Sequence, residues 1–372
     1  MEYTASEFIK DKYEEWNRFC LESDDAWFWH TADWLDYTLH YKPELKTQNV
    51  SFFVYKQDKI KAVVPLTLET HKFGNRDVCE FSFGGGAIPA PVLNDNLSKA
   101  KHDRKERDLV YEFIFNEIDR LARRNNVVRA LFRQTPLSPK FLSKDINFNH
   151  LMKFGYIDSS LNTQLIDLSK TEEELWNDLR RNHRRNIEKG KRFQITIYTS
   201  ENITKDVFSA YKDTHHRAAG RKTRPDATFN LMYDWITDDL SFLAVAELDK
   251  KKVGFEYYSI YKSSAYGFSA ANEPEYEHLP IRHALEWEAI LWMKKRGLSF
   301  YEIGLQQYGI LPHDFPDTKQ LNISHFKKGF GGFTVPLFMG EKYYDKEYFL
   351  KTYQERIYKF GELMGSEKYG QE

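Results

Sequence analysis

The sequence predicts an α/β (α+β) protein in which mixed, mostly antiparallel sheets are flanked by helices. Three observations carry this. Short runs rich in Val, Ile, Phe and Tyr recur between turn residues. A helix-period segment separates the third run from the fourth in each half of the chain. The composition, 41% hydrophobic and 29% charged over 372 residues, is that of a folded chain with room for two domains.

In the first half, SFFVYKQDKIKAVVPLTLE reads as two strands joined at Gln57–Lys59. VCEFSFGGGAIPAP reads as a third strand running into a glycine-proline loop, a helix follows at about 105–124, and VVRALFRQ closes the unit. In the second half, SFLAVAELDKKKVGFEYYSIY is again a strand pair, turning at Asp249–Lys251. SSAYGFSAANEP is the third strand, about 280–296 is a helix that ends at Gly297, and LSFYEIGL is the closing strand. Pro280 suits the first turn of that helix. A fresh strand in FGYIDSSLNTQLIDLS places the domain boundary between residues 1–157 and 158–372. Two helices precede the second strand pair, the first opened by a capping box, Thr171-x-x-Glu174. An amphipathic helix at about 345–362 packs on the outside.

Charge excludes some partners. With 54 basic and 55 acidic residues the net charge is −1, so no global field draws the chain to DNA or other nucleic acid. No apolar run reaches the roughly 18–20 residues of a membrane helix, and the N-terminus lacks a secretory h-region. Cys20 and Cys79 sit among apolar residues and read as core thiols of a cytoplasmic protein. HExxH, CxxC, P-loop and GxSxG motifs are absent, so no metal is expected.

Several clusters can carry chemistry. LRRNHRRNIEKGKR (179–192) is a basic helix whose arginines spread around the axis. Either it is a solvated face, or Arg184 and Arg181 meet the phosphates of a nucleotide or carrier with a guanidinium fork. HHRAAGRKTRPD places His215, His216, Arg217 and Arg221 in or beside a loop suited to an anionic substrate. Both histidines have the unperturbed pKa that suits acid–base work, and His216 is the catalytic candidate. The loop and helix start after Asn272 hold Leu279, Ile281, Arg282 and His283, where backbone N–H groups and the helix dipole suit a pyrophosphate. The glycines usual in such a loop are missing. Glu256, on a strand, is a candidate base for an attacking amine. Glu302 and Tyr308 lie at and beyond the end of the closing strand, with Tyr308 placed to protonate a leaving group.

Two separated stretches, RNHRRNIEKGKRFQITI and HFKKGFGGFTVPL, resemble the FemABX family and its GNAT acetyltransferase relatives. The R-x-N-I element is matched by Arg184, Asn186 and Ile187; the F-K-x-G-F-G element by Phe326, Lys327, Gly329, Phe330 and Gly331. The family's D-x-G-G is similar to the closing strand, with Glu302 for the aspartate and only Gly304 kept. WFWHTADWLDY and Pro65-Leu66 add to the likeness, which spans about 25–340. The resemblance implies two tandem GNAT-like domains and direct acyl transfer to an amine. Lys327 would assist at the donor, and Phe326 would line its site. The leading expectation is transfer from an acyl-CoA co-substrate to the amino group of a nucleotide-linked deoxyamino sugar for bacterial surface polysaccharide. The alternatives are a FemX-like aminoacyltransferase using charged tRNA on a peptidoglycan precursor, and a non-catalytic nucleotide-sugar binding module. The Gly84–Gly86 loop reads as a structural turn, with a nucleotide site as its alternative.

Overall fold

The structure, a computed structural model, describes residues 3–94, 101–143 and 148–364. The chain forms two compact units. The first comprises Met1–Asn162, Gln307–Leu321 and Pro336–Glu372; the second comprises Thr163–Gln306 and Asn322–Val335.

In the first unit the hairpin Phe52–Lys56/Lys59–Val64 forms as expected, joined through Gln57 at φ 57°. It sits in a four-stranded sheet between Tyr3–Glu7 and Val92–Leu93. The second expected strand does not run on into PLTLE. Pro65 has no N–H for a ladder, and the chain restarts as Thr67–Phe73, which pairs with Arg76–Phe81 in a separate sheet. The helix Lys101–Arg124 buries Ile114, Phe115, Ile118 and Ala122, and Val127–Arg133 returns parallel to Arg76–Phe81. The hairpin, a later strand, the helix and a parallel strand keep the expected order, but Thr67–Phe73 and two short strands, Ile88–Pro89 and Val92–Leu93, are added before the helix.

The Gly84–Gly86 loop closes on Glu69, a carboxylate only 1% exposed. It accepts from the N–H groups of Gly84 (2.6 Å) and Gly85 (3.0 Å) and from Ser82 Oγ (2.6 Å). Those amides are bound internally, which is the arrangement of a structural turn.

The C-terminal segment departs from the expected division. Met339–Tyr343 pairs antiparallel with Val127–Arg133, and the helix Lys346–Leu363 buries Tyr348 against Val78 and Val128. Tyr348 also donates to Glu80 (2.8 Å). Residues placed by the sequence reading in the second domain therefore complete the first. Both cysteines are free thiols, Cys20 buried and Cys79 half-buried.

The second unit runs β1 (Leu161–Asp167), α1 (Glu172–Asp178), α2 (Arg181–Gly190), β2 (Gln194–Tyr198), α3 (Lys205–Ala219), α4 (Asp226–Thr237), β3 (Ser241–Leu248), β4 (Lys251–Tyr261), β5 (Ser264–Asn272), α5 (Ile281–Lys295), β6 (Phe300–Gln306), α6 (Thr318–Lys328) and β7 (Phe333–Leu337). The sheet order is β2-β3-β4-β5-β6-β1-β7. The capping box at α1 forms: Thr171 Oγ1 accepts from Glu174 N, and Glu174 Oε2 accepts from Thr171 N at 2.7 Å. Four helices and the edge strand β2, rather than two helices, precede the β3–β4 pair. α5 supplies Ile281, Leu285, Ala289, Ile290 and Met293 to the core. Gly332 (φ +78°) permits a close approach, since a Cβ there would lie 2.0 Å from Leu165 O.

Candidate active site

In the sheet of the second unit, β5 and β6 diverge. β5 and β6 pair in parallel over Ser264↔Phe300, Ala265↔Tyr301 and Tyr266↔Glu302, and then part. A bulge follows at once: Tyr257 opposes Ser269 and Tyr258 opposes Gly267, leaving Phe268 as the extra residue of β5. Although β5 is an interior strand, Tyr266 to Ala270 are half-buried rather than buried. The result is a notch in the middle of the sheet.

Alternation along β4 divides what surrounds it. Tyr257 turns to the α3/α4 side, donating to Met232 O on α4 (2.7 Å) and stacking on Tyr211 of α3. Glu256 and Tyr258 turn to the α5 side.

On that side lies a charged cluster. Glu256, 3% exposed, accepts from Arg282 Nη2 at 2.7 Å through Oε1, while its Oε2 has no hydrogen-bond partner. Glu286 accepts from Tyr301 OH (2.8 Å) and Tyr258 OH (3.4 Å), and its Oε1 lies 3.5 Å from Arg282. Burial raises the Glu256 carboxyl well above its ordinary range; Arg282 opposes the rise and Glu286 adds to it. Lys327 comes from α6, and its Nζ lies 2.6 Å from where a Cβ on Gly304 would stand. Gly304 is thus what lets the ammonium reach the strand. Burial lowers the Lys327 pKa, with the Glu286 and Glu302 carboxylates among the groups opposing the fall. Glu302 is buried and accepts from Thr163 Oγ1 (2.7 Å). Gln306, on the same strand face as Glu302 and Gly304 by alternation, is 1% exposed and neither of its amide atoms has a hydrogen-bond partner. Asn272 Oδ1 at the end of β5 is likewise unpartnered.

On the α3/α4 side, Ser269 meets His215 Nε2 at 3.0 Å and Arg224 Nη2 at 3.3 Å. His215 Nδ1 meets Thr223 Oγ1 at 2.9 Å. Arg224 can only donate, and its Nη2 also lies 3.4 Å from His215 Nε2, so that nitrogen faces a donor and serves as an acceptor. Burial and the neighbouring Arg224 hold His215 down at about 4.

The remaining sequence-derived residues have these places. His216 bonds the backbone of Thr223 through Nδ1 and packs on Phe229, on the sheet face opposite Glu256; burial lowers its pKa. Adjacent helical residues point about 100° apart, so one of the pair reaches Ser269 and the other does not. Arg184 donates to the carbonyls of Trp176 (3.4 Å), Asn177 (3.0 Å) and Leu179 (2.9 Å), closing the end of α1 rather than presenting itself to a ligand. Arg181 and Arg221 are exposed. Arg217 is paired with Glu273 (2.5 Å). Leu279 and Ile281 pack into the core, leaving backbone as their means of contacting a ligand. His283 sits at 4.7 Å from the His183 ring and 5.0 Å from Phe326, its pKa pushed down to about 4 by burial. Tyr308 is 55% exposed, beyond the end of β6, and belongs to the first unit.

The two family-like stretches meet. His183 of α2 receives Gly329 so closely that a Cβ there would lie 2.1 Å from the ring, and its Nε2 meets Phe326 O at 2.9 Å. Asn186 reaches His283 (3.2 Å). These residues lock α2, α5 and α6 together and thereby hold Lys327 in place.

The family model described as "Acetyltransferase (GNAT) domain" matches residues 177–313. Among solved structures the fold is similar to that of FemX, at 12% identity and a TM-score of 0.63, over 95% of this chain and 100% of that one. It is also similar to L-PGS from Bacillus licheniformis, at 12% identity and a TM-score of 0.50, over 88% and 96% of the two chains. At such identities the likeness is one of fold. No curated protein matches the chain by sequence. The tandem GNAT-like fold that the resemblance implied is the fold observed, with the family match falling on residues 177–313.

Sequence reasoning missed Ser269, Arg224, Glu286 and Gln306. Ser269 has no motif around it, whereas Arg224 stands inside HHRAAGRKTRPD, where His215, His216, Arg217 and Arg221 were named and it was not. Glu286 was legible in principle, standing four residues after Arg282 on one helix face.

Proposed function

We propose that the chain is an acyltransferase whose reaction centre is the notch where β5 and β6 part. The observation that carries the reading is an unpartnered, buried carboxylate oxygen, Glu256 Oε2, facing a cluster that includes the half-buried ammonium of Lys327. Buried polar atoms without partners are uncommon and expensive, and a bound acceptor would supply the missing bond. The donor is a coenzyme A thioester, threading the notch with its phosphates toward the start of α5, which no side chain caps. The acceptor is the amine of a nucleotide-linked deoxyamino sugar.

In this mechanism the amine nitrogen attacks the thioester carbonyl carbon. Glu256 Oε2 takes the proton the nitrogen must lose, a task suited to a carboxylate with a raised pKa. Lys327 and the backbone amides of the β5 bulge stabilise the oxyanion. The C–S bond then breaks, and the thiolate leaves to be protonated as coenzyme A. Arg282 and Glu286 orient Glu256. Support for a small donor over charged tRNA comes from the basic stretch 180–192. Arg184 closes a helix, Arg180 bonds His325, Arg185 bonds Asn182 (2.7 Å) and Lys191 pairs with Glu188 (2.7 Å), so four of its seven basic side chains are already engaged within the chain.

The test is thiol release with short acyl-CoAs and nucleotide-linked 3-amino and 4-amino sugars. Release that needs both partners, and that falls at least 100-fold in Glu256→Gln, is expected. Transfer from charged tRNA with no thiol release overturns the reading.

A further inference from the structure

A second concavity lies on the other side of α5. It is a groove of about 770 Å³ walled by α1, α2, β2 and α5. Ala284, Trp287, Glu288 and Leu291 of α5 line it. At 3.6 residues per turn these stand about half a turn from Arg282, Glu286 and Met293, which face the sheet. The helix itself therefore separates groove and notch.

The groove's floor is apolar and aromatic, and its rim is acidic. Trp176, Ile187, Phe193, Trp287 and Leu291 form the floor. Trp176 and Trp287 meet edge to face, 5.2 Å apart at 65°, making two walls of a box. Glu172, Glu173, Glu188 and Glu288 stand around it, with Lys191 as the one cation of the lining. Lys191 is already paired with Glu188 at 2.7 Å. Among the described residues Glu172, Glu173 and Glu288 have no ion pair. The start of α1 accounts for Glu172 and Glu173, which the helix dipole favours there. It does not account for Glu288 in the body of α5, whose carboxyl is raised by burial and by Glu172 across the groove. Like charges brought together without a cation cost stability. A groove of this volume, its lining divided evenly between apolar and polar surface, is of the size that takes a small molecule.

We propose that this groove binds an organic ammonium ion carrying an apolar substituent. The ammonium sits against the Trp176–Trp287 corner, where the ring faces and the carboxylates attract it together. The substituent covers Ile187, Phe193 and Leu291. The site is independent of the acyl-transfer reading, because it is read out by binding alone.

Calorimetric titration of the full chain with hexyltrimethylammonium, hexyl sulfate and 1-hexanol tests it. All three share one alkyl chain and differ in charge. The ammonium is expected to bind one-to-one and at least tenfold more tightly than hexanol, with no detectable binding of the sulfate. Glu172→Lys and Glu288→Lys change exposed positions and keep the fold, and each weakens the ammonium at least fivefold. Trp287→Leu, checked for an unchanged melting curve, weakens it about tenfold. Equal affinity for hexanol, absence of ammonium binding, or indifference to both rim reversals overturns the proposal.

Discussion

Arg184 separates two accounts of the same residue, one that clamps a phosphate and one that holds a helix end. In the structure its guanidinium donates to three carbonyls at the end of α1, two of them at 2.9 and 3.0 Å and a third at 3.4 Å. A hydrogen bond from a charged group contributes about 1.5–3 kcal/mol. Only two of these are short, and one is exposed, so about 2 kcal/mol is lost in Arg184→Ala. For a unit of this size each kcal/mol moves the melting temperature about 2–4 °C, giving a fall of about 4–8 °C. All three bonds leave one nitrogen, Nη1, so Arg184→Lys, which keeps a charged donor group on a shorter side chain, falls about half as far. The assay is a calorimetric melt of the second unit's transition alongside KM for the acyl-CoA. The reasoning is refuted if Arg184→Ala melts within about 1 °C of the parent while KM rises tenfold.

Other outcomes follow from the same geometry. Glu256 has its folded-state pKa raised, so its contribution to stability is present at low pH and is lost as pH rises through that value. Glu256→Gln is therefore expected to gain stability relative to the parent with rising pH in denaturant titrations, while losing acyl transfer. His215 has its folded pKa depressed to about 4; its contribution is present above the unfolded value near 6.5 and is lost as pH falls toward 4. His215→Asn should flatten the acid limb of the stability curve. Gly329→Ala drives a methyl into the His183 ring, and its cost of about 2 kcal/mol should be partly recovered in the His183→Ala double variant, a coupling that a thermodynamic cycle measures. Glu69→Ala strands the Gly84 and Gly85 amides and should cost about 3 kcal/mol by urea unfolding; full stability would remove the structural explanation of that loop.

Local signals in the sequence were reliable where partner residues stand close by. The 52–64 hairpin, the β3–β4 pair, the Thr171 capping box and the α5 helix are each written in fewer than twenty-five consecutive residues. The return of Met339–Tyr343 to Val127–Arg133 has no local signature, because its partner lies far back in the chain. The same holds for the site. Glu256, Arg282, Glu302 and Lys327 were named separately, and only the fold gathers them. Arg184 was named as well, but a guanidinium that closes a helix and one that grips phosphate have the same letter in a sequence. Ser269 could be found only from the β5 bulge, which shifts register by one residue.

The returning strand also bears on how the chain is made. Val127–Arg133 emerges from synthesis long before Met339–Tyr343, so one of its sheet neighbours is missing while the entire second unit is being produced. During that interval the early unit has an unfilled strand position and lacks Tyr348 over Val78 and Val128. Loop closure over such a separation is slow relative to local pairing, and an open strand edge invites pairing with other chains. Synthesis in the presence of a holding chaperone should therefore raise the soluble yield of the full chain. A fragment ending at residue 162 should aggregate, unless a peptide spanning 336–364 is supplied to fill the position.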